Sequence, residues 1–191
     1  FRSLSGSIGV VGDEGTGRSA VGISISSAGE PSSACCQRSD LRLRGTALAE
    51  GIGEELTSLP PMIKCPVLVV KPTISVSTKY VYEHLVLDEN TKHPDIDQLV
   101  RDIKARNLKA VASHMGNVLE SVTETQYPEI KTIKEKMLEQ GALNAMMSGS
   151  GPTVFGLFEE EKIARAAADA IRTQGLARQI YVTDIYNNRR R

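Results

Sequence analysis

The sequence predicts an α+β fold, a two-layer α/β sandwich with helices packed on one face of a mostly antiparallel four-stranded sheet. Apolar runs of strand length lie at 45–51, 66–72, 152–158 and 179–186, and helical stripes fill the intervals after the second and third of them. With 191 residues, 40% hydrophobic and 24% charged, the chain is long enough for one such domain or one and a piece.

Each element has a local reason. Gly45-Thr-Ala-Leu-Ala-Glu-Gly51 reads as a short strand, Pro60-Pro61 as a turn, and Pro66-Val-Leu-Val-Val-Lys-Pro72 as a buried strand bracketed by prolines. Ser77 or Thr78 caps a helix through Tyr80 and Tyr82 to Leu85, and Asp95 or Asp97 opens a second with Leu99, Ile103 and Leu108 on one face. A third helix starts near Asn107 and carries Leu108, Val111, Ala112, Met115 and Leu119. Pro128 begins a fourth, with Ile130, Ile133, Met137 and Leu138 in its stripe, and Gly141 ends it. The segment from Glu159 to Gln174 is alanine-rich and helical by propensity, and Gln179 to Tyr186 alternates as a last strand.

Residues 1–44 differ in character. Positions 1–45 hold ten Ser and eight Gly, so an irregular segment is expected before a folded unit over 45–191.

Charge and composition exclude several functions. The 23 Lys+Arg and 23 Asp+Glu cancel, and the one basic cluster is Arg189, Arg190 and Arg191, so no field is available to hold a nucleic-acid backbone. No apolar run approaches the roughly 20 residues of a membrane span, and no basic flank precedes an apolar core, which implies a cytoplasmic protein with no membrane partner. Cys35, Cys36 and Cys65 give neither a disulfide framework nor a metal knuckle and are read as reduced thiols. His84, His93 and His114 lack ligand spacing, so no metal site is expected, and His84 and His114 are read as surface or satisfied side chains.

The strongest chemical feature is Met147-Ser148-Gly149-Ser150-Gly151-Pro152-Thr153. Its glycines allow the backbone to turn so that successive N–H groups form an anion nest, and Ser148, Ser150 and Thr153 add hydroxyls. A phosphate group suits such a loop, although the spacing is neither a Walker A nor a dinucleotide fingerprint, and a tight turn without ligand would use the same residues. Gly12-Asp-Glu-Gly-Thr-Gly17 has no preceding strand and an acidic pair that repels phosphate. The hydroxyls ending Lys71-Pro-Thr-Ile-Ser-Val-Ser-Thr78 are read first as helix caps. Asn117 and Glu120, polar on an apolar stripe, are expected to face water.

Several segments in order resemble the GHMP small-molecule kinases, in particular a branch acting on a cytidyl-diphospho-linked polyol. They are Gly45-Thr-Ala-Leu-Ala-Glu-Gly-Ile-Gly-Glu54, Leu59-Pro60, Val67-Leu-Val-Val-Lys-Pro72, Val76-Ser-Thr78, Gly116-Asn-Val-Leu-Glu120, Tyr127-Pro-Glu-Ile130 and Met147-Ser-Gly-Ser-Gly-Pro-Thr-Val-Phe-Gly-Leu-Phe158. The resemblance implies a ferredoxin-like C-terminal domain and transfer of the ATP γ-phosphoryl group, with Mg²⁺, to a hydroxyl of a small nucleotide-linked substrate. It places Ser148, Gly149, Ser150, Gly151, Pro152 and Thr153 beside phosphates and Val76, Ser77 and Thr78 near the same cleft.

Two family features are not in these residues: a Pro-Ala-Lys-Ile-Asn segment with a catalytic lysine, and a Gly-Leu-Gly-Gly-Ser-Ser-like ATP loop. Gln37 stands where the family has its catalytic aspartate, Asp40 is out of register, and an amide is no base. No catalytic residue is therefore assigned, little turnover is expected of these residues by themselves, and 1–44 is read as out of frame or as the remnant of an N-terminal domain. A non-catalytic nucleotide- or protein-binding module is the alternative. No oligomeric state follows from the sequence.

Overall fold

The computed structural model of the chain describes residues 4–9, 21–27, 46–50, 55–86 and 93–185. An antiparallel sheet comes first, with β1 (Leu4–Gly9), β2 (Val21–Ser27), β3 (Thr46–Glu50) and β4 (Glu55–Ser58) in that order. Ile8 is opposite Ile23, Val21 opposite Leu48, and Leu48 opposite Thr57. The expectation of irregular structure over 1–44 is thus corrected at 4–9 and 21–27. Val21, Ile23 and Ile25 alternate with Gly22, Ser24 and Ser26, a period-2 signal that the count of Ser and Gly hides. The other residues of 1–44, including the Gly12–Gly17 cluster, Cys35, Cys36, Gln37 and Asp40, lie outside the described residues.

The second sheet and its helices follow in the chain as β5 (Pro66–Lys71), α1 (Thr78–Glu83), α2 (Ile96–Ala105), α3 (Leu108–His114), α4 (Glu120–Gln126) and α5 (Pro128–Glu139). Then come β6 (Asn144–Met147), β7 (Val154–Leu157), α6 (Glu161–Thr173) and β8 (Gln179–Asp184). The strand order is β6-β7-β5-β8 and every pairing is antiparallel. With one crossover ending in α5 and the other made by α6, this is the ferredoxin-like arrangement, with α1 to α4 inserted in the first crossover.

The strand expected at 45–51 belongs to the first sheet as β3, and its place in the second is taken by β6. That strand escaped the sequence pattern because Ala145, Met146 and Met147 are all buried, which leaves no polar alternation. β3 still touches the second unit: buried Thr46 accepts the Leu59 amide at its carbonyl (3.0 Å) and the Met62 amide at Oγ1 (3.0 Å).

Helices lie against both faces of the second sheet. Leu68, Val70, Val154 and Met147 pack with Ile130, Ile133 and Met137 of α5 and Ala164, Ala167, Ala168 and Ile171 of α6. This is the helix layer the sequence predicted. Val67, Phe155, Leu157 and Met146 on the opposite face pack with Ile96, Leu99 and Ile103 of α2 and Val111 and Ala112 of α3, which adds a third layer to the predicted two. The close fit uses small residues: a Cβ on Gly156 would stand 2.9 Å from Met137 Sδ and 3.3 Å from Phe158 Cε2.

Caps set most helix limits. Asp95 Oδ1 accepts the Gln98 amide (2.8 Å) and starts α2, and Asn107 Oδ1 accepts the Ala110 amide (3.2 Å) and starts α3. Pro128 is at the start of α5, and Gly141, at φ 91°, lies just beyond its end. The single stripe read from Leu108 to Leu119 is broken: α3 ends at His114, and α4 begins at Glu120. No helix among the described residues is long and apolar enough to cross a membrane.

Candidate functional site

The hairpin between β6 and β7 is the Ser148-Gly-Ser-Gly-Pro-Thr153 loop. Ser148 N donates to Thr153 O (2.8 Å) and Gly151 N to Ser148 O (3.0 Å), so the loop closes on itself. Gly149 and Gly151 have φ of 55° and 88°, values that suit residues without a Cβ, and the Gly151–Pro152 peptide is cis.

The break between α3 and α4 supports this loop from beneath. Asn117 is buried, and its Nδ2 donates to both Met147 O (2.9 Å) and Gly149 O (2.8 Å) while its Oδ1 accepts the Leu119 amide (3.1 Å). Glu120 Oε1 accepts the Met147 amide (2.6 Å), and buried Thr123 Oγ1 approaches Ser150 O at 3.5 Å while bonding to Leu119 O at 3.1 Å. The expectation that Asn117 and Glu120 face water is therefore corrected. The loop groups they hold, at Met147 and Gly149, are 27 to 32 residues away in the chain, beyond any local pattern.

An ion cluster completes the base. Lys134 Nζ donates to Glu120 Oε2 (2.6 Å) and Glu124 Oε1 (2.5 Å), and the three side chains are only 17%, 17% and 23% exposed. Burial pushes the Glu120 carboxyl above its ordinary range, and Glu124 adds to this against the pull of Lys134 and the Met147 amide. Burial by itself would lower the Lys134 ammonium, but the two carboxylates outweigh it and its net shift is upward.

The other residues that the sequence singled out divide clearly. Ser77 caps α1 by accepting the Tyr80 amide at 3.3 Å, the bland role foreseen for it, whereas Thr78 Oγ1 meets Ser150 Oγ at 2.9 Å. Thr78 and the glycine loop are thus brought together across 72 residues of sequence, while Val76 packs at the edge of the apolar cluster. His84 Nδ1 is hydrogen-bonded to Tyr80 O (2.9 Å), and its ring stacks on Tyr80 at 3.8 Å. His114 Nδ1 pairs with buried Asp102 at 2.6 Å, so both histidines are satisfied within the fold. Cys65 is buried and free.

Residues 99–176 match the family described as GHMP kinases C terminal. Residues 99–176 form a GHMP kinase C-terminal domain. Around it, the chain is 55% identical over 144 residues to a 4-diphosphocytidyl-2-C-methyl-D-erythritol kinase of Lachnospira eligens, an alignment covering 75% of this chain and 50% of the relative. A kinase of the same name from Lachnoclostridium phytofermentans is 53% identical over 147 residues, covering 77% of this chain and 50% of the relative. The chain spans about half the length of these curated relatives. A crystal structure of 4-(cytidine 5'-diphospho)-2C-methyl-D-erythritol kinase superposes with TM-score 0.62 at 28% identity, covering 75% of this chain and 51% of that one. The glycine loop and its Asn117–Glu120 support therefore lie inside the matched GHMP kinase domain.

Proposed function

We propose that this GHMP kinase domain works in ATP-dependent phosphorylation of the 2-hydroxyl of 4-diphosphocytidyl-2-C-methyl-D-erythritol, a cytoplasmic step of non-mevalonate isoprenoid (terpenoid) biosynthesis. The observation that carries the reading is the polarity of the glycine loop. Its Met147, Ser148, Gly149 and Thr153 carbonyls are each engaged by donors of the protein, whereas the Gly149 and Ser150 amides donate to no described residue. The same loop carries the Ser150 hydroxyl, which is hydrogen-bonded to the Thr78 hydroxyl at 2.9 Å. A loop with four carbonyls occupied from within the protein and two successive amides left to donate suits a phosphate oxygen, and the stabilisation of a transferring phosphoryl group is largely a matter of such positioned donors.

On this reading Ser148, Gly149, Ser150, Gly151, Pro152 and Thr153 hold phosphates of a nucleotide-linked ligand, with Val76, Ser77 and Thr78 at the rim. Mg²⁺ would accompany ATP. Among the described residues no group of three His, Cys, Asp or Glu side chains is placed to hold a metal ion.

Calorimetric titration of the 191-residue polypeptide with ATP and with the cytidyl substrate tests the proposal. Weak saturable binding of the substrate is expected. No binding of either compound overturns it in favour of a module that binds protein. In an ADP-release assay these residues by themselves are expected to be at least about 100-fold slower than a full-length relative, the contribution of a positioned base. Comparable rates would show that another residue of this chain does supply the base.

A further inference from the structure

We infer that Asn117 is a positioning residue that gives the glycine loop its preference for anions, an inference that rests on the phosphate-binding reading above. A peptide loop exposes as many carbonyls as amides, and it attracts an anion only when its carbonyls are turned away. Here one side-chain amide takes two of them, Met147 O and Gly149 O, at 2.9 and 2.8 Å. The same side chain is locked in place through Oδ1, which accepts the Leu119 amide at 3.1 Å. One turn further along, Glu120 Oε1 takes the Met147 amide at 2.6 Å, so residue 147 is gripped at both its backbone groups. The role needs an amide in particular. A hydroxyl has one proton and cannot hold both carbonyls, and a carboxylate would repel them. Buried at 7% exposure behind the loop, Asn117 does not present itself to a ligand and acts only through the backbone it holds.

The test uses the 191-residue chain, inorganic tripolyphosphate as the probe, and amide-resolved NMR. In the native chain the probe is expected to shift the Gly149 and Ser150 amides saturably. In Asn117→Ser the affinity should fall at least tenfold, and the Ser148 and Gly151 amides, which close the loop, should exchange at least tenfold faster. Amides of β5 and β7 should stay protected, a combination that a merely structural role would not produce. If Asn117→Ser does not fold, Asn117→Asp keeps the volume and the Leu119 bond while losing the donor, and its Ser148 and Gly151 exchange is read without ligand so that its charge is not at issue. Affinity within twofold of the native chain, or unchanged exchange of those two amides, overturns the inference while leaving phosphate binding standing. Absence of any shift at Gly149 and Ser150 in the native chain overturns the phosphate reading itself.

Discussion

Lys134 shows how a single residue underwrites the site. It is the cation between Glu120 and Glu124, at 2.6 and 2.5 Å, and Glu120 in turn holds the strand that leads into the loop. Lys134→Met is expected to cost about 3 kcal/mol at pH 7, because it strands two poorly solvated carboxylates. The pH dependence has a definite sign. Glu120 is held above its ordinary value of 4.5 in the folded chain, so its contribution to stability is present below 4.5 and is lost as pH rises through the folded value. Without Lys134 that folded value rises further, and the deficit of the variant should shrink between pH 7 and pH 5. Urea unfolding at the two pH values measures it, and a deficit independent of pH would remove the ion cluster from the explanation. None of this was legible locally: Lys134 looks like any solvated lysine beside the stripe of Ile130, Ile133 and Met137, and its partners lie 10 and 14 residues back.

At the scale of elements, the β6–β7 hairpin depends on two glycines for different reasons. A Cβ on Gly151, at φ 88°, would stand 2.6 Å from Met147 Sδ, whereas one on Gly149, at φ 55°, meets nothing within 4 Å. Gly151→Ala is therefore expected to destabilise by about 2 kcal/mol or more, and Gly149→Ala by about 1 kcal/mol, the cost of a left-handed backbone alone. Thermal unfolding of the two variants compares them, and equal losses would mean that the loop gives way at Met147. The elements themselves were readable to different degrees. α2 and α5 stand where periodicity and capping residues put them, because their buried residues recur every three or four positions, and α6 stands where alanine-rich propensity put it. β6 was missed because burial on both faces erases alternation, and the α3–α4 break was missed because Met115 and Leu119 continue the apolar spacing through Gly116 and Asn117.

At the scale of the whole molecule, the core of the second sheet also protects its one described thiol. Cys65 is 3% exposed, and burial, with a smaller contribution from Asp184, pushes its pKa up to about 12. Iodoacetamide at pH 8 is expected to label Cys65 at least about 1000-fold more slowly in the native chain than in urea, since both access and thiolate are lacking. Peptide mapping reads this site separately from Cys35 and Cys36, and rapid native labelling would mean that the β5 end of the sheet opens. The α+β class and most helices were determined by the sequence itself, because apolar periodicity and caps act over a few neighbours, and the motif wording from 147 to 158 pointed to the kinase family. Tertiary structure alone settled which strands share a sheet, that helices cover both faces, and that Asn117, Glu120 and Thr78 converge on one loop. Those relations are contacts between residues that lie far apart along the chain, and only folding brings them within hydrogen-bond reach.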